Sequence, residues 1–436
     1  MSTAVVTRPE TAGLLTRVRG LRHTSPGRLK LLLATLLTLG LLAGLVAAVA
    51  GQSARAGTHD LGGRAQPLLI EAETIYSALA DADTTAAQGF LEGGLEPATL
   101  TERYDDDLQR ASTALTSAAR RTPAEGAAAD AVRTLSAGLA EYSALVATAR
   151  ANNRQGLPVG ASYLSEASNL NRETLQPQAR ALFRTAQGEV GDGYGAAGAA
   201  GWMSLLLLLL AGLLVALLLT QRYLSRHTHR TFNVPLVAAT VVTLGLTVGA
   251  LAVVVNQQNH LGLAEQEGSG PVASIAESRI LALQARGDEA LTLAARGSGA
   301  AYESDFDAVT SRLTAGGGPL VNEYARLDPQ LGTLMGRAAN SYRAYVATHD
   351  QVRAFDDNGE YDRAVDLAIA PTTTQTFESL RSDLNFALED RKAFFNDQIG
   401  QAAGGLGPLT VLGPLLALLI AGLAYVGLRA RLEEYR

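Results

Sequence analysis

The chain has no cysteine, two lysines beside 34 arginines, one tryptophan and only 5% aromatic residues. Without cysteine there is no disulfide, no thiol nucleophile and no cysteine metal site, and the redox compartment is left open. Few aromatics beside 47% hydrophobic residues suit helices packed through alanine and leucine better than strands of aromatic and β-branched side chains. The six histidines are scattered. His227 and His229 stand two apart without a third ligand nearby, so a basic loop is expected there rather than a metal site. No phosphate-cradling glycine loop, nucleophile elbow or metalloprotease helix occurs. The residues therefore point to no catalytic, cofactor or metal site, and to a protein that is not an enzyme.

Long apolar runs are present instead. Residues 31–50, 201–220, 234–255 and 406–428 carry no charged residue and are each long enough, at about 1.5 Å per residue, to cross a hydrocarbon core of about 30 Å. No ionisable group lies at mid-depth, which argues against an ion-coupled transporter. The run at 31–50 ends in Ala48-Val49-Ala50, as a signal-peptidase site would, but its length favours an uncleaved anchor. Charge fixes the expected sidedness. The tail 1–30, the connector 221–233 and the end 429–436 hold 12 basic and 3 acidic residues, whereas 51–200 and 256–405 hold 24 and 39. By the positive-inside rule both termini and the connector face the cytoplasm, and two acidic domains face outward across the plasma membrane.

Within 51–200, Leu69, Tyr76 and Phe90, with Ala72, Leu79 and Ala86 between them, mark one apolar helical stripe. Asp83 interrupts it, and a solvated edge position is expected in preference to a polar contact inside the bundle. The turn at 92–97 ends this helix, and Thr99 can cap the next, which runs from about 99 to 121. Asp105, Asp106 and Asp107 could attract a cation. Successive residues point around a helix, however, so a solvated acidic turn is expected. A third helix spans about 127–153, on a stripe of Val132, Leu135, Leu139, Tyr142 and Val146, and a fourth returns from about 159. The result is an up-down-up-down four-helix bundle with the turns at 92–99 and 152–158 at its distal tip.

Residues 256–405 repeat the plan. Tyr142 to Thr148 parallels Tyr342 to Thr348, and Tyr104 with Asp105 and Asp107 parallels Tyr302 with Glu303 and Asp305, so an internal duplication is expected. The corresponding tip turns lie at 296–301 and 355–360. The expected fold is an all-α membrane protein with four transmembrane helices and two extracytoplasmic antiparallel four-helix bundles in tandem pseudo-repeat.

Such anchored bundles resemble the sensor modules of chemoreceptors and histidine kinases. The stretches Asp81 to Gly94 and Thr148 to Gly160, with the length and four-span plan, resemble the actinobacterial GlnX-type membrane proteins. That resemblance implies an amino-acid-sensing relay in which the chain links an extracytoplasmic solute-binding lipoprotein, GlnH-like, to a cytoplasmic Ser/Thr kinase, PknG-like. The lipid bilayer is the other partner, a homo-oligomer is compatible with the plan, and no nucleic acid is implied. From the residues themselves, Asn152, Asn153, Arg154 and Gln155 of one tip and Asp356, Asp357 and Glu360 of the other are the candidate docking surface outside. Arg222, Arg226, Arg230, Arg429 and Arg431 form the candidate inner surface, where topology anchoring is the blander role. A direct small-molecule receptor and a structural scaffold of the cell envelope are the alternative readings.

Overall fold

The structure, a computed structural model, describes residues 25–92, 95–228, 233–316, 318–320 and 324–433. In chain order its α-helices are α1 Ser25–Asp60, α2 Gln66–Glu92, α3 Ala98–Arg121, α4 Ala127–Arg154, α5 Val159–Asn169, α6 Gln176–Gly198, α7 Ala200–Thr228, α8 Val234–Leu263, α9 Gly270–Ala294, α10 Ala300–Thr314, α11 Pro329–Asp357, α12 Tyr361–Ala368, α13 Pro371–Ala402 and α14 Leu406–Glu433. No strand occurs among the described residues, and four helical stretches are long and apolar enough to cross a membrane. The protein is an all-α, multi-pass membrane protein.

Two compact units can be distinguished. One comprises the described parts of 1–58, 195–259 and 401–436, and the other comprises 59–194 with 260–400.

The apolar unit packs α1, α7, α8 and α14. Lipid tails are as apolar as leucine, so close backbone approach at small residues must do much of the work of association. Gly44 and Ala47 of α1 meet Ala417 and Gly413 of α14. A Cβ added to Gly44 would lie 2.8 Å from that of Ala417, and one added to Gly413 would lie 2.9 Å from that of Ala47. On α7, Leu206, Leu210, Leu213 and Leu217 are buried at helical spacing, while Leu208, Leu218 and Leu219 are exposed as a lipid-facing surface requires. The amide of Gln221 donates to the Leu236 carbonyl at 3.0 Å and to Thr240 at 2.7 Å, joining α7 to α8.

The polar unit is built around α2 and α9, the first helix of each repeat. Every residue from Ile75 to Ala87 is buried, as is every residue from Ala285 to Ala294, so these two helices are enclosed on all sides. Thr84 Oγ1 donates within 2.9 Å of the Leu283 carbonyl where they cross. Around this pair lie α3 to α6 from the first repeat and α10 to α13 from the second. Tyr142 and Tyr342, 200 positions apart, are both fully buried, and Tyr342 shares a hydrogen bond of 2.8 Å with Thr310.

The helix ends follow local chemistry. Gly126 and Gly156 take positive φ at the turns before α4 and after it, a conformation that costs residues with a Cβ more. Thr99, expected to cap α3, lies inside its first turn. The N-cap is Pro97, whose carbonyl accepts from Leu100 and Thr101. In the second repeat Asp328 does cap α11, accepting from the Gln330 amide at 2.7 Å.

The backbone also distinguishes the repeats' first and last helices. Helical structure runs from α1 to α2 through a π-turn at Leu61–Ala65 and from α8 to α9 through one at Ala264–Ser269. By contrast α6 and α7 are separated by a turn at Ala199, φ 40°, and α13 and α14 by a turn ending at Gly405, φ 79°.

Candidate functional site

At the tip of the first repeat, the turns after α2 and after α4 are tied together. Asn153 Nδ2 donates to the Phe90 carbonyl at 3.0 Å, and Arg150 pairs with the buried Glu96 at 2.8 Å while stacking 4.2 Å above the Tyr104 ring. These bonds turn Arg154 and Gln155 outward, where both are exposed, and leave Asn152 and Asn153 half-buried. Beside them stand Leu95, 86% exposed, Leu157, Val159 and Tyr163. Four large apolar side chains on one tip form an exposed patch that polar-turn reasoning overlooked. Its sequence signal was the run Leu157-Pro158-Val159, which reads simply as a turn.

The tip of the second repeat is self-satisfied. Arg353 pairs with Asp356, with Asp357 at 2.6 Å and with Glu303 at 3.2 Å; Glu360 pairs with Arg363, which stacks 4.2 Å over Phe355. The two tips adjoin. Asn153, Leu157 and Glu166 share a cavity of about 580 Å³ with Arg296, Ser298 and Tyr302, and the Tyr302 hydroxyl lies 3.0 Å from Ser165 Oγ. Asp356, Asp357 and Glu360 do not line that cavity. Of the inner candidates, Arg222 and Arg226 are exposed on α7, and Arg429 is exposed and paired with Glu433 at 2.8 Å. Arg230 lies outside the described residues, as does the side chain of Arg431.

The larger departure from expectation lies along α2 and α9. Asp83, expected at a solvated edge, is buried: it accepts from Ser168 Oγ at 2.7 Å and from Arg172 Nε at 3.3 Å. Arg172 also pairs with Asp288 of α9. Asp107, expected in a solvated acidic turn with its neighbours, is likewise buried, paired with Arg110, while Asp105 and Asp106 are exposed. In each case the cation that makes burial tolerable comes from the same repeat: Arg172 beside Asp83 on the enclosed α2, and Arg110, one turn on, beside Asp107 on the buried face of α3.

This inner charge set continues on both sides. Arg279 donates to Asp81 at 2.6 Å and stands 3.6 Å from Glu73, which Lys392 approaches at 3.1 Å. On the far side of α9, Arg286 pairs with Glu289 and donates to the Ala368 carbonyl at 2.9 Å. His349 lies between two carboxylates, Nδ1 at 2.9 Å from Glu289 and Nε2 at 3.1 Å from Glu303, with its ring stacked 3.6 Å from that of Phe306. Burial opposes a charge on His349, but the two carboxylates outweigh it and hold the imidazole up at about 9. Burial pushes Asp288 up to about 7 in spite of Arg172. Among the described residues no cluster of His, Asp and Glu is arranged to hold a metal ion.

Residues 57–195 match the family model of the actinobacterial sensor domain. The match takes in α2 to α6, the first repeat, and supports an actinobacterial sensor protein with a signal-sensing role. No curated protein and no solved structure matches the chain.

Proposed function

We propose that the protein is a non-enzymatic transmembrane signal transducer whose tip docks an extracytoplasmic, GlnH-like solute-binding lipoprotein, and that it relays amino-acid availability to a cytoplasmic PknG-like Ser/Thr kinase. The observation that carries the docking step is the tip patch. Leu95, Leu157, Val159 and Tyr163 are exposed beside Arg154 and Gln155, which is the composition of a protein interface: apolar anchors with a polar rim. The sensor-domain match to the same repeat supports it, and so does the resemblance of Asp81 to Gly94 and Thr148 to Gly160 to GlnX-type proteins. Both termini and the short connector are cytoplasmic in this reading, on the charge asymmetry of the loops.

The relay would use the first helix of each repeat. Docking that favours one packing of α2 against α9 shifts those helices, and each is continuous in backbone with an apolar helix through a π-turn. Ion pairs buried between the two helices restrict them to discrete arrangements, because intermediate positions leave charges unpaired.

Full-length protein in nanodiscs should bind the solute-binding lipoprotein with an affinity that depends on its amino acid, and Leu157→Asp together with Arg154→Glu should weaken capture by at least about tenfold. Unchanged capture by that variant rejects the tip as the docking surface.

A further inference from the structure

A second cavity, of about 170 Å³, lies away from the tip among α2, α6, α9 and α10. Three of its lining residues are arginines: Arg180 and Arg184, one turn apart on α6, and Arg312 on α10. Only one lining residue is acidic, Glu277, paired with Arg312 at 2.8 Å with both side chains half exposed. Arg180 donates through Nε at 2.9 Å and Nη2 at 2.6 Å to the hydroxyl of buried Tyr76. Burial holds that phenol above its ordinary range in spite of Arg180, so it remains neutral and does not cancel the guanidinium charge. Arg184 is exposed and has no hydrogen-bond or ion-pair partner among the described residues. Elsewhere in this unit arginines facing the enclosed helix pair meet carboxylates; here two positive charges are left over.

Like charges one helical turn apart repel, and the apolar residues of the same lining, Phe183 and Ile280, give neither a counter-charge. A ligand that neutralised both would relieve the repulsion and gain charge-assisted, fork-shaped hydrogen bonds. Guanidinia from two different helices that line one cavity together with apolar side chains call for two anionic ends joined by a short carbon chain. A cavity of about 170 Å³ suits a short chain rather than a drug-sized ligand.

We infer that this cavity is a binding site for a small organic dicarboxylate, one carboxylate held by Arg180 and Arg184 and the other by the Nε and Nη1 donors of Arg312, whose Nη2 is the atom paired with Glu277. It is separate from the tip and goes beyond the docking reading. Occupied, it would cross-link α6 of the first repeat to α9 and α10 of the second.

The test is isothermal titration of the full-length protein in nanodiscs with succinate and glutarate, with acetate and sulfate as controls. Saturable dicarboxylate binding is expected, with acetate at least about tenfold weaker because it meets only one end of the site. Arg184→Gln and Arg312→Gln, both at exposed positions, should each weaken it by about tenfold or more without changing the unliganded melting temperature. No saturable heat with either dicarboxylate, or unaltered affinity in both variants, overturns the site. Sulfate binding as tightly as succinate overturns the assignment to an organic dicarboxylate. The tip variant Leu157→Asp should leave the titration unchanged, so failure here and failure of partner docking are distinguishable.

Discussion

Arg279 of α9 donates to Asp81 of α2 at 2.6 Å, an ion pair between residues 198 positions apart in which both side chains are buried. It joins the two repeats at the centre of the polar unit. Asp81 is also reached by Arg110 at 3.1 Å and by Arg381 at 3.8 Å, so three guanidinia converge on one carboxylate.

Removing the shared acceptor should therefore cost more than removing one donor. Asp81→Ala leaves Arg279 with only the more distant Glu73 at 3.6 Å and is expected to lower stability by about 3 to 5 kcal/mol, whereas Arg381→Ala, which stands 3.8 Å from Asp81, should cost about 1 kcal/mol. The double variant Asp81→Leu with Arg279→Met should recover most of the loss, because no uncompensated charge remains. Denaturant unfolding of the three variants checks the order.

His349 supplies a pH signature. Its ordinary pKa is 6.5 and its folded value about 9, so folding favours the proton. The stability it contributes is complete below pH 6.5 and is lost as pH rises through about 9, amounting to about 3 kcal/mol. The groups around it are Glu289, Glu303, Arg286, Arg353 and the Phe306 ring. Asp288, raised from 3.8 to about 7, acts in the same direction over a lower window. His349→Gln should flatten the decline between pH 7 and 9 while leaving that below 7; an unaltered alkaline slope in thermal melts would refute the assignment.

In the apolar unit, the α1 and α14 contact leaves no room at Gly44 or Gly413. Gly44→Leu or Gly413→Leu should force the helices apart and destabilise the unit by about 1 to 3 kcal/mol. Gly212 of α7, with nothing within 4 Å of an added Cβ, should accept alanine freely. Melting of the three variants in a fixed detergent measures the contrast.

Sidedness can be read directly, since a chain without cysteine gives single-cysteine variants with no background. Ser143→Cys and Ser341→Cys should react with an impermeant thiol reagent in intact cells, and Ser225→Cys should react only after the membrane is opened. The reverse pattern would place the tip in the cytoplasm and remove the proposed docking partner.

The sequence by itself determined what depends on neighbours in the chain. Four uncharged runs had to be helices satisfying their own backbone in lipid. Alternating charge in the loops set the expected sidedness, and the stops at Gly126, Gly156 and Pro158 placed the ends of α3, α4 and α5 within a residue or so. The offset of 200 between Tyr142 and Tyr342 disclosed two repeats whose tyrosines are both fully buried. Only the tertiary structure decided where the charges lie. Asp83 of α2 and Asp107 of α3 look like surface carboxylates, because helical periodicity reports one face against one neighbour, whereas α2 is enclosed by partners that include α9, about 200 residues away, and Asp107 shares Arg110 with Asp81 of α2. The same limit hid the tip patch and the arginine cavity: each is assembled from helix faces that are unremarkable alone and acquire chemistry only when packing sets them side by side.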